Sequence, residues 1–349
     1  MKQFHKGRGA GDNPKNRFEG IYIEADEEYE GIEPSPETEF ITDDSDTILS
    51  VNNSPDVPFT YSINPYRGCE HGCIYCYARP THEYLGYSAG KDFESKIMVK
   101  RKAPELLKKM LTKDSWEPQT ISISGVTDPY QPAERKEELT RQILRVLTDF
   151  RNPYTIVTKN KLVTRDLDIL SEMAGFNGVK VMISLTTLDV RLASIMEPRT
   201  SRPNARLRAI EQLTEAGIPV GVLVAPVIPG LTDHEMPQLL QSARNAGARF
   251  AGYVVLRLPH SNKELFEQWV TEHFPNRKDK ILNRVRALRG GDLNSTDFGD
   301  RMRGEGEFAE QINKMFHIYR QTYGYDDDGP PLSTTHFNRE AAAGQMRLF

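Results

Sequence analysis

The sequence predicts an α/β fold: a partial (β/α)6 TIM-like barrel with an irregular N-terminal arm and a C-terminal helical extension. Three observations favour this fold. Between residues 58 and 260, short runs rich in β-branched residues alternate six times with amphipathic stretches. The short runs are almost continuously apolar, as expected of parallel strands that are buried on both faces. The amphipathic stretches carry apolar residues at helical spacing, so helices would cover the sheet. A doubly wound open sheet is the alternative arrangement.

The predicted strands are the segments in which β-branched and aromatic residues cluster between turn-forming residues. They are residues 59–64, 120–124, 154–158, 179–186, 220–227 and 253–258. The predicted helices are residues 103–111, 137–150, 167–174, 203–217 and 235–246. The helix at 203–217 shows both terminal signals, since proline is favoured in a first helical turn and glycine after a last one.

Two further segments flank this barrel. Residues 1–57 are rich in glycine, proline, asparagine and acidic residues, which predicts an irregular acidic N-terminal extension. Within it, residues 24–46 carry eleven Asp and Glu and no Lys or Arg, so this run is either a solvated segment or an arm that competes with a polyanion for a basic surface. After the barrel, residues 261–324 predict a helical extension and residues 325–349 a loose tail.

The composition argues against a membrane protein. No window of the chain stays apolar for the length needed to cross a bilayer. The basic and polar residues 1–18 lack the apolar stretch of a secretory signal. We therefore expect a cytoplasmic protein with no membrane partner.

The chain's three cysteines, Cys69, Cys73 and Cys76, lie within eight residues with the spacing Cys-x3-Cys-x2-Cys. Disulfides cannot account for an odd number of cysteines so close together. Thiolates are the usual ligands of iron–sulfur clusters, which normally take four, so a cubane held by three would keep one iron open to a small molecule. A structural zinc site that adds His71 or His82 is the alternative. The cysteines follow the first predicted strand, at the end of a parallel barrel where chemistry lies.

This loop, with an aromatic residue before its last cysteine and a partial barrel around it, resembles the radical SAM superfamily. The Thr127–Asp128 turn, Lys159 and Ser184 resemble its spore photoproduct lyase-like branch. The resemblance implies a [4Fe–4S] cluster and S-adenosylmethionine as cofactors and an electron donor protein as a partner. It also implies an enzyme that reductively cleaves S-adenosylmethionine to a 5′-deoxyadenosyl radical, which abstracts a hydrogen atom from a substrate.

The same resemblance assigns roles to residues at the strand ends. Tyr75 would pack near the adenine, Lys159 would pair with the methionine carboxylate and Ser184 would face the ribose. Thr127 and Asp128 stand where many members have a Gly-Gly-Glu type turn that meets the amino group of the cofactor. The alternatives are a loop plug for Tyr75, a surface lysine for Lys159 and a plain Asp-Pro turn for Asp128.

Three more residues are candidates for the cofactor site. Glu197 and Arg199 form a charged pair in a predicted loop, where they would clamp ribose or substrate; a surface ion pair is the alternative. Val227, at the end of the fifth predicted strand, resembles the apolar segment that lines the adenine pocket, and a plain core position is the alternative.

The resemblance favours DNA as the substrate, in a reaction like lesion repair. Spore photoproduct lyase uses an additional cysteine as a hydrogen donor, and this chain has none to spare, so Tyr130 and Tyr253 are the candidate donors. The rival substrates are tRNA, a protein and a metabolite, and the rival class is a non-enzymatic iron–sulfur or zinc adaptor. A basic set between residues 277 and 303 would meet phosphates, or form a solvated helix face. Its members are Arg277, Lys278, Lys280, Arg284, Arg286, Arg289, Arg301 and Arg303.

The C-terminal residues suggest a protein partner. Gln345, Leu348 and Phe349 resemble the peptide by which bacterial repair and replication proteins dock on the sliding clamp. A loose tail suits a peptide that becomes ordered in a groove. The alternative is an anchor on the protein's own core.

Overall fold

The computed structural model describes residues 7–18, 37–123, 125–326 and 328–340. The strands formed by these residues are β1 (Glu39–Thr42), β2 (Leu49–Val51), β3 (Tyr61–Ile63), β4 (Tyr66–Arg67), β5 (Lys96–Val99), β6 (Ile121–Ile123), β7 (Tyr154–Thr158), β8 (Val179–Ser184), β9 (Val220–Val227) and β10 (Phe250–Val255).

The helices lie mostly between the strands of the second half of the chain. The α-helices of the described residues are α1 (Lys91–Ser95), α2 (Ala103–Leu111), α3 (Glu134–Glu137), α4 (Leu139–Asp149), α5 (Leu167–Ala174), α6 (Val190–Met196), α7 (Pro203–Glu215), α8 (Met236–Asn245), α9 (Asn262–His273), α10 (Lys278–Ala287), α11 (Asp300–Arg303) and α12 (Gly306–Thr322). Short 3-10 helices cover Arg79–Leu85, Lys161–Asp166, Asp233–Glu235 and Pro275–Arg277.

The main sheet confirms the predicted α/β fold. Within the described residues it has seven strands in the order β10-β9-β8-β7-β6-β3-β2. The strands from β10 to β3 are parallel, and β2 pairs antiparallel with β3 at one edge. Parallel neighbours need a crossover connection, which the helices supply. Among the described strands β2 and β10 form the two edges, so the sheet is a partial barrel that does not close.

The predicted strands are all present as the parallel part of this sheet, and β7 and β9 have the predicted bounds. β10 begins at Phe250 rather than at residue 253, because Phe250 and Ala251 pair with Gly221 and Val222 of β9. The predicted helices correspond to α2, α4, α5, α7 and α8. α6, between β8 and α7, was not predicted.

The core fills the space between the sheet and its helices. Ile156, Val181 and Val222 of the parallel strands are fully buried, as are Ile143 and Leu147 on one face of α4. The buried residues of α4 recur at helical spacing, which is the pattern that predicted this helix.

The N-terminal extension differs from the irregular segment expected of residues 1–57. β1 pairs in parallel with β5, which pairs antiparallel with β4, so the described residues contain a second, three-stranded sheet. The composition does not predict β1 and β2, because both strands are short and half-exposed. Each also pairs with a strand that lies later in the chain, which local sequence patterns do not show. Residues 24–36 of the acidic run lie outside the described residues.

The helical C-terminal part is present as α9–α12, but the segment after it is not loose where it is described. Residues 328–340, which we call the C-terminal strap, cross the amino ends of the parallel strands. The amide of Ser333 donates to the carbonyl of Asn177 just before β8, and that of Asn338 donates to the carbonyl of Phe150 before β7. Phe337 stacks on Phe150 with 6.2 Å between the ring centroids.

The residues predicted to dock on a sliding clamp, Gln345, Leu348 and Phe349, lie outside the described residues, beyond the C-terminal strap. Across the described part of the chain, no helix combines the length and the apolar character needed to cross a membrane.

Candidate functional site

The cysteine loop, residues 67–79, contacts the segments that follow the carboxyl ends of the parallel strands. Nε2 of His71 lies 3.2 Å from the side-chain amide nitrogen of Asn160, after β7. The amide of Ile74 donates to the carbonyl of Met196, after β8, at 3.1 Å. Parallel α/β barrels carry their chemistry at this end of the strands.

The three cysteines are presented by a loop that turns at glycines. Cys69 and Cys73 are buried, Cys76 is half-buried, and none forms a disulfide. The φ angle is +82° at Gly68 and +66° at Gly72, in the region that favours glycine. The two glycines therefore allow the tight turns by which one short segment offers three thiols.

Burial raises the pKa of each cysteine thiol above its ordinary value. The next cause is the negative charge of Asp128 for Cys69 and of Glu197 for Cys73. Such thiols become ligands when a bound metal supplies the positive charge that favours the thiolate. Three sulfur donors on one loop fit an iron–sulfur cluster and leave one of its irons without a cysteine. In the described ranges, no three His, Cys, Asp or Glu side chains are arranged to hold a single metal ion.

A buried ion pair anchors the cysteine loop. Nε of Arg79 donates to the carbonyl of Cys73 at 3.0 Å, and its Nη2 lies 2.5 Å from Oε1 of Glu94. The Glu94 carboxylate also accepts from the backbone amides of Gly9 at 3.0 Å and Ala10 at 2.8 Å. Part of the N-terminal extension therefore packs on the loop and completes its anchor.

Asp128 ties the turn after β6 to the cysteine loop and to β7. Its carboxylate accepts from the Thr158 hydroxyl and the Lys159 amide, both at 2.7 Å, and lies 3.4 Å from Nδ1 of His71. Burial opposes the charge of Asp128, but His71 and these hydrogen bonds outweigh burial and lower its pKa. Both ring nitrogens of His71 face protein partners, so His71 is not arranged as the zinc ligand considered from the sequence.

Lys159 follows β7 and directs its ammonium at the next two strands. Nζ donates to the Ser184 hydroxyl at 2.6 Å, to the Thr186 hydroxyl at 3.3 Å and to the carbonyl of Ala225 at 2.9 Å. It lies 5.6 Å from the ring centroid of Tyr75. The side chain is 15% exposed, so Lys159 is an interior cation rather than a surface lysine.

Glu197 completes this arrangement from the end of α6. Its buried carboxylate accepts from the Tyr75 hydroxyl, from the Thr186 hydroxyl at 2.7 Å and from Arg206, and lies 3.5 Å from Nζ of Lys159. Burial opposes the charge, but Arg206 and then Lys159 outweigh it and lower the pKa of Glu197 far below its usual range. Two cations facing one carboxylate leave a net positive charge, which would favour an anionic ligand. We call Tyr75, Lys159, Ser184, Thr186, Glu197 and Arg206 the polar cluster.

Four predicted cofactor residues lie outside the polar cluster: Asp128, which holds His71 and the start of the segment after β7, and three others. The Thr127 hydroxyl donates to the carbonyl of Tyr66 at 2.8 Å. Val227 is buried in the main core.

Arg199 forms a 2.9 Å ion pair with Glu70 of the cysteine loop. It does not form the predicted pair with Glu197, whose carboxylate faces Arg206 and Lys159 instead.

The two tyrosines considered as hydrogen donors are also outside the polar cluster. The Tyr130 hydroxyl donates to Asp166 at 3.0 Å, and the Tyr253 hydroxyl donates to Asn313 of α12 at the same distance. Both rings are buried in the core. The structure therefore does not bring either tyrosine together with the cysteine loop.

Arg206 is a site residue that the sequence reading missed. It is 1% exposed, and Nη1 donates to the carbonyl of Ser184 at 2.9 Å. Arg206 shares the buried face of α7 with Ala209, Ile210 and Leu213. An arginine on the apolar face of an amphipathic helix is the signal by which the sequence could have identified it.

The basic residues between 277 and 303 do not form one exposed patch. Arg277 donates to the carbonyl of Gly230 at 2.6 Å, and Arg301 forms an ion pair with Asp56. Arg289 is 4% exposed. These three arginines therefore bind other parts of the protein or are buried, and they do not present their charge as a continuous surface.

The comparisons with known proteins identify the family through one family model. The family model of the Radical SAM superfamily matches residues 63–243, which include the cysteine loop and most of the main sheet. An uncharacterized protein of Mycobacterium tuberculosis is 38% identical over 240 residues, which cover 68% of this chain and 69% of that protein. An uncharacterized protein of Methanocaldococcus jannaschii is 31% identical over 229 residues, which cover 66% of this chain and 82% of that protein.

The fold is similar to that of a solved enzyme structure. The structure of spore photoproduct lyase complexed with dinucleoside spore photoproduct has a TM-score of 0.56 at 17% identity and covers 82% of this chain and 81% of that chain. Enzymes of the matched superfamily use a [4Fe–4S] cluster and S-adenosylmethionine, and the three thiols and the Lys159 ammonium near Tyr75 suit both. Because the family model spans more than half of its residues, this chain belongs to the radical SAM superfamily and is an enzyme of that family.

Proposed function

We propose that Cys69, Cys73 and Cys76 hold a [4Fe–4S] cluster, that the polar cluster binds S-adenosylmethionine, and that the enzyme acts on nucleic acid. The position of Lys159 carries the proposal. Its ammonium lies at the carboxyl ends of β8 and β9 and next to Tyr75 of the cysteine loop. An amino-acid carboxylate bound to it would sit close to the three thiols.

The chain's own residues bind and orient the cofactor. Ser184 and the carbonyl of Ala225 fix the ammonium of Lys159, so its charge is in place before a carboxylate arrives. Glu197 holds the hydroxyl of Tyr75, which fixes the ring for packing against an adenine. When bound, the cluster supplies the electron that cleaves S-adenosylmethionine to methionine and a 5′-deoxyadenosyl radical.

The remaining predicted residues have supporting roles in this proposal. Asp128 and Arg199 are positioning residues, because each holds a residue of the cysteine loop, His71 and Glu70 respectively. Thr127 shapes the turn after β6, and Val227 packs the core beneath the polar cluster.

Two observations support a nucleic-acid substrate. The fold is similar to that of spore photoproduct lyase, which was solved with a dinucleoside. Positive charge also lies near the cysteine loop at Arg257, which forms no ion pair with the residues that the structure describes. The narrower form of the proposal is a DNA lesion as substrate. Because the chain has no fourth cysteine, this narrower proposal does not include the return of a hydrogen atom from a thiol.

Binding measurements with duplex DNA, single-stranded DNA and tRNA at several salt concentrations distinguish a nucleic-acid substrate from a protein or a metabolite.

Production of 5′-deoxyadenosine tests the core of the proposal. The protein is reconstituted anaerobically with iron and sulfide, and dithionite and S-adenosylmethionine are added. We expect product from the wild type and none from Cys73→Ala, which lacks a cluster ligand. Arg249→Gln, at the exposed amino end of β10, is the control and should retain product. A fully loaded wild-type cluster that yields no 5′-deoxyadenosine would refute the proposal.

We keep clamp docking by Gln345, Leu348 and Phe349 as a separate proposal that rests on the sequence alone. A pull-down with a bacterial sliding clamp tests it. Removal of residues 345–349 should abolish capture, and unchanged capture would end the idea.

A further inference from the structure

Tyr77 follows the last cysteine and is 46% exposed, although its neighbours in the cysteine loop are mostly buried. Its hydroxyl donates to the carbonyl of Gly125 at 2.7 Å, after β6. The guanidinium carbon of Arg257 lies 5.3 Å from the centroid of its ring. An exposed aromatic ring is thus held in a fixed orientation between the ends of β6 and β10, directly beside a cluster ligand.

Arg257 follows β10 and lacks a carboxylate partner among the described residues. Nη1 donates to the sulfur of Met302 at 3.4 Å, and Nε is buried without a hydrogen-bond partner. Methionine sulfur is a weak acceptor and carries no charge. The charge of this half-buried guanidinium is therefore not neutralised by a direct contact.

Arg289 is a second such arginine, close to the first. It is 4% exposed, donates only to the backbone carbonyls of Leu256 and Asp300, and has a buried Nε with no partner. No ion pair to Arg289 exists in the part of the chain that the structure describes. Burial, and then the positive charge of Arg257, lower the pKa of Arg289 to about 10.

Three carboxylates act on these two guanidiniums electrostatically: Asp56 on Arg257, and Asp300 and Glu305 on Arg289. None of them forms an ion pair with either arginine, so neither charge is neutralised by direct contact within the described residues. Two adjacent, desolvated guanidiniums in this state are costly, since buried charges are normally paired. A bound anion would remove this cost. Guanidinium groups match phosphate geometrically, and aromatic rings beside arginines stack with bases. The carboxylate of a peptide would satisfy the charge but would leave the exposed ring of Tyr77 without a role.

We propose that Tyr77, Arg257 and Arg289 bind one nucleotide of a single-stranded or extruded nucleic acid, with the base on Tyr77 and the phosphate on the two arginines. This deepens the proposed function and rests on it, because the site adjoins Cys76. It places the nucleotide at the mouth of the barrel.

Fluorescence anisotropy with labelled single-stranded DNA and RNA of equal sequence tests the site in the reconstituted protein. Arg257→Gln should weaken binding about tenfold and reduce the slope of log K against log salt by about 0.7, as expected for one lost phosphate contact. Tyr77→Ala should weaken binding about tenfold with the slope unchanged, since stacking carries no charge. Tyr77→Phe, which keeps the ring, should bind like the wild type.

Arg249→Gln is the matched control, because Arg249 lies at the opposite end of the same strand, and it should keep the wild-type slope. Iron content of each variant shows whether the cysteine loop is intact. The proposal fails if the wild type binds neither nucleic acid, or if Arg257→Gln and Tyr77→Ala bind as the wild type does. The substrate-free formation of 5′-deoxyadenosine by the wild type tests the proposed function independently of either result.

Discussion

The α-carbon of Gly9 lies against the carbonyl group of Gly72: a Cβ at residue 9 would come within 1.7 Å of that oxygen. The amides of Gly9 and Ala10 donate to Glu94, which pairs with Arg79. The amino-terminal segment is therefore part of the support of the cysteine loop and not an appendage of the barrel.

Gly9→Ala should displace this segment from the loop, because a backbone carbonyl cannot move aside as a flexible side chain can. We expect a loss of about 1–3 kcal/mol in the free energy of unfolding and less iron per chain after reconstitution. Thermal unfolding and iron analysis measure the two effects.

Gly7→Ala is the control for this prediction, since no atom lies within 4 Å of a Cβ at residue 7. Its φ of +84° makes alanine strained there by about 1 kcal/mol, without a contact to the loop. Iron content that stays at the wild-type level in Gly9→Ala would show that the cysteine loop does not depend on the segment.

The contact between Gly9 and Gly72 could not be predicted from the sequence. Glycine, proline and asparagine near the amino terminus indicate irregular backbone, and irregular backbone can be either loose or tightly packed. The parallel strands were predictable because each carries its own pattern of buried residues. Close backbone contacts between distant glycines leave no such periodicity.

Glu197→Gln should destabilise the protein by about 3–5 kcal/mol, because it leaves the buried guanidinium of Arg206 without its carboxylate. Urea unfolding at neutral pH measures the loss. Glu215→Gln, at the end of α7 where no ion pair is formed within the described chain, is the control and should change stability by less than about 0.5 kcal/mol.

The stabilisation by Glu197 should also depend on pH. Its pKa in the folded state lies below the ordinary value of 4.5, because Arg206 and Lys159 outweigh burial. A group with a lowered folded-state pKa stabilises fully above its unfolded pKa and loses that effect as pH falls. The stability gap between the wild type and Glu197→Gln should therefore shrink below pH 4.5, by up to about 1.4 kcal/mol per pH unit. A gap that is constant between pH 7 and pH 3 would contradict this origin.

The polar cluster was predictable in part. Tyr75, Lys159 and Ser184 stand at strand ends or in the cysteine loop, so a pattern of strands already places them at one edge of the sheet. Arg206 and Thr186 depend on which face of a helix or turn meets that edge. Tertiary packing decides which face meets the edge. In a single sequence the only sign of it is a charged residue on an otherwise apolar helix face.

Lys159→Met should weaken the binding of S-adenosylmethionine about ten- to a hundredfold, the range expected for one lost charge-assisted hydrogen bond in a buried site. Equilibrium binding to the reconstituted protein measures it. Lys180→Met is the control, because Lys180 lies on β8 with its Nζ 6.0 Å from the Phe250 ring, away from the polar cluster. Equal affinity of the two variants for S-adenosylmethionine would show that Lys159 does not bind the cofactor.

Phe337→Ala should lower the free energy of unfolding without changing the rate of 5′-deoxyadenosine formation. Phe337 belongs to the C-terminal strap and packs on Phe150 before β7, at the end of the sheet opposite the cysteine loop. Loss of a half-buried aromatic contact should cost about 1–2 kcal/mol of unfolding free energy. Phe298→Ala, which removes a ring that is 62% exposed, should cost less than about 0.5 kcal/mol. Below its unfolding temperature Phe337→Ala should form 5′-deoxyadenosine at the wild-type rate, because the backbone hydrogen bonds of the strap join it to the segments that precede β7 and β8. A reduced rate in the folded variant would mean that packing at this end reaches the polar cluster through the sheet.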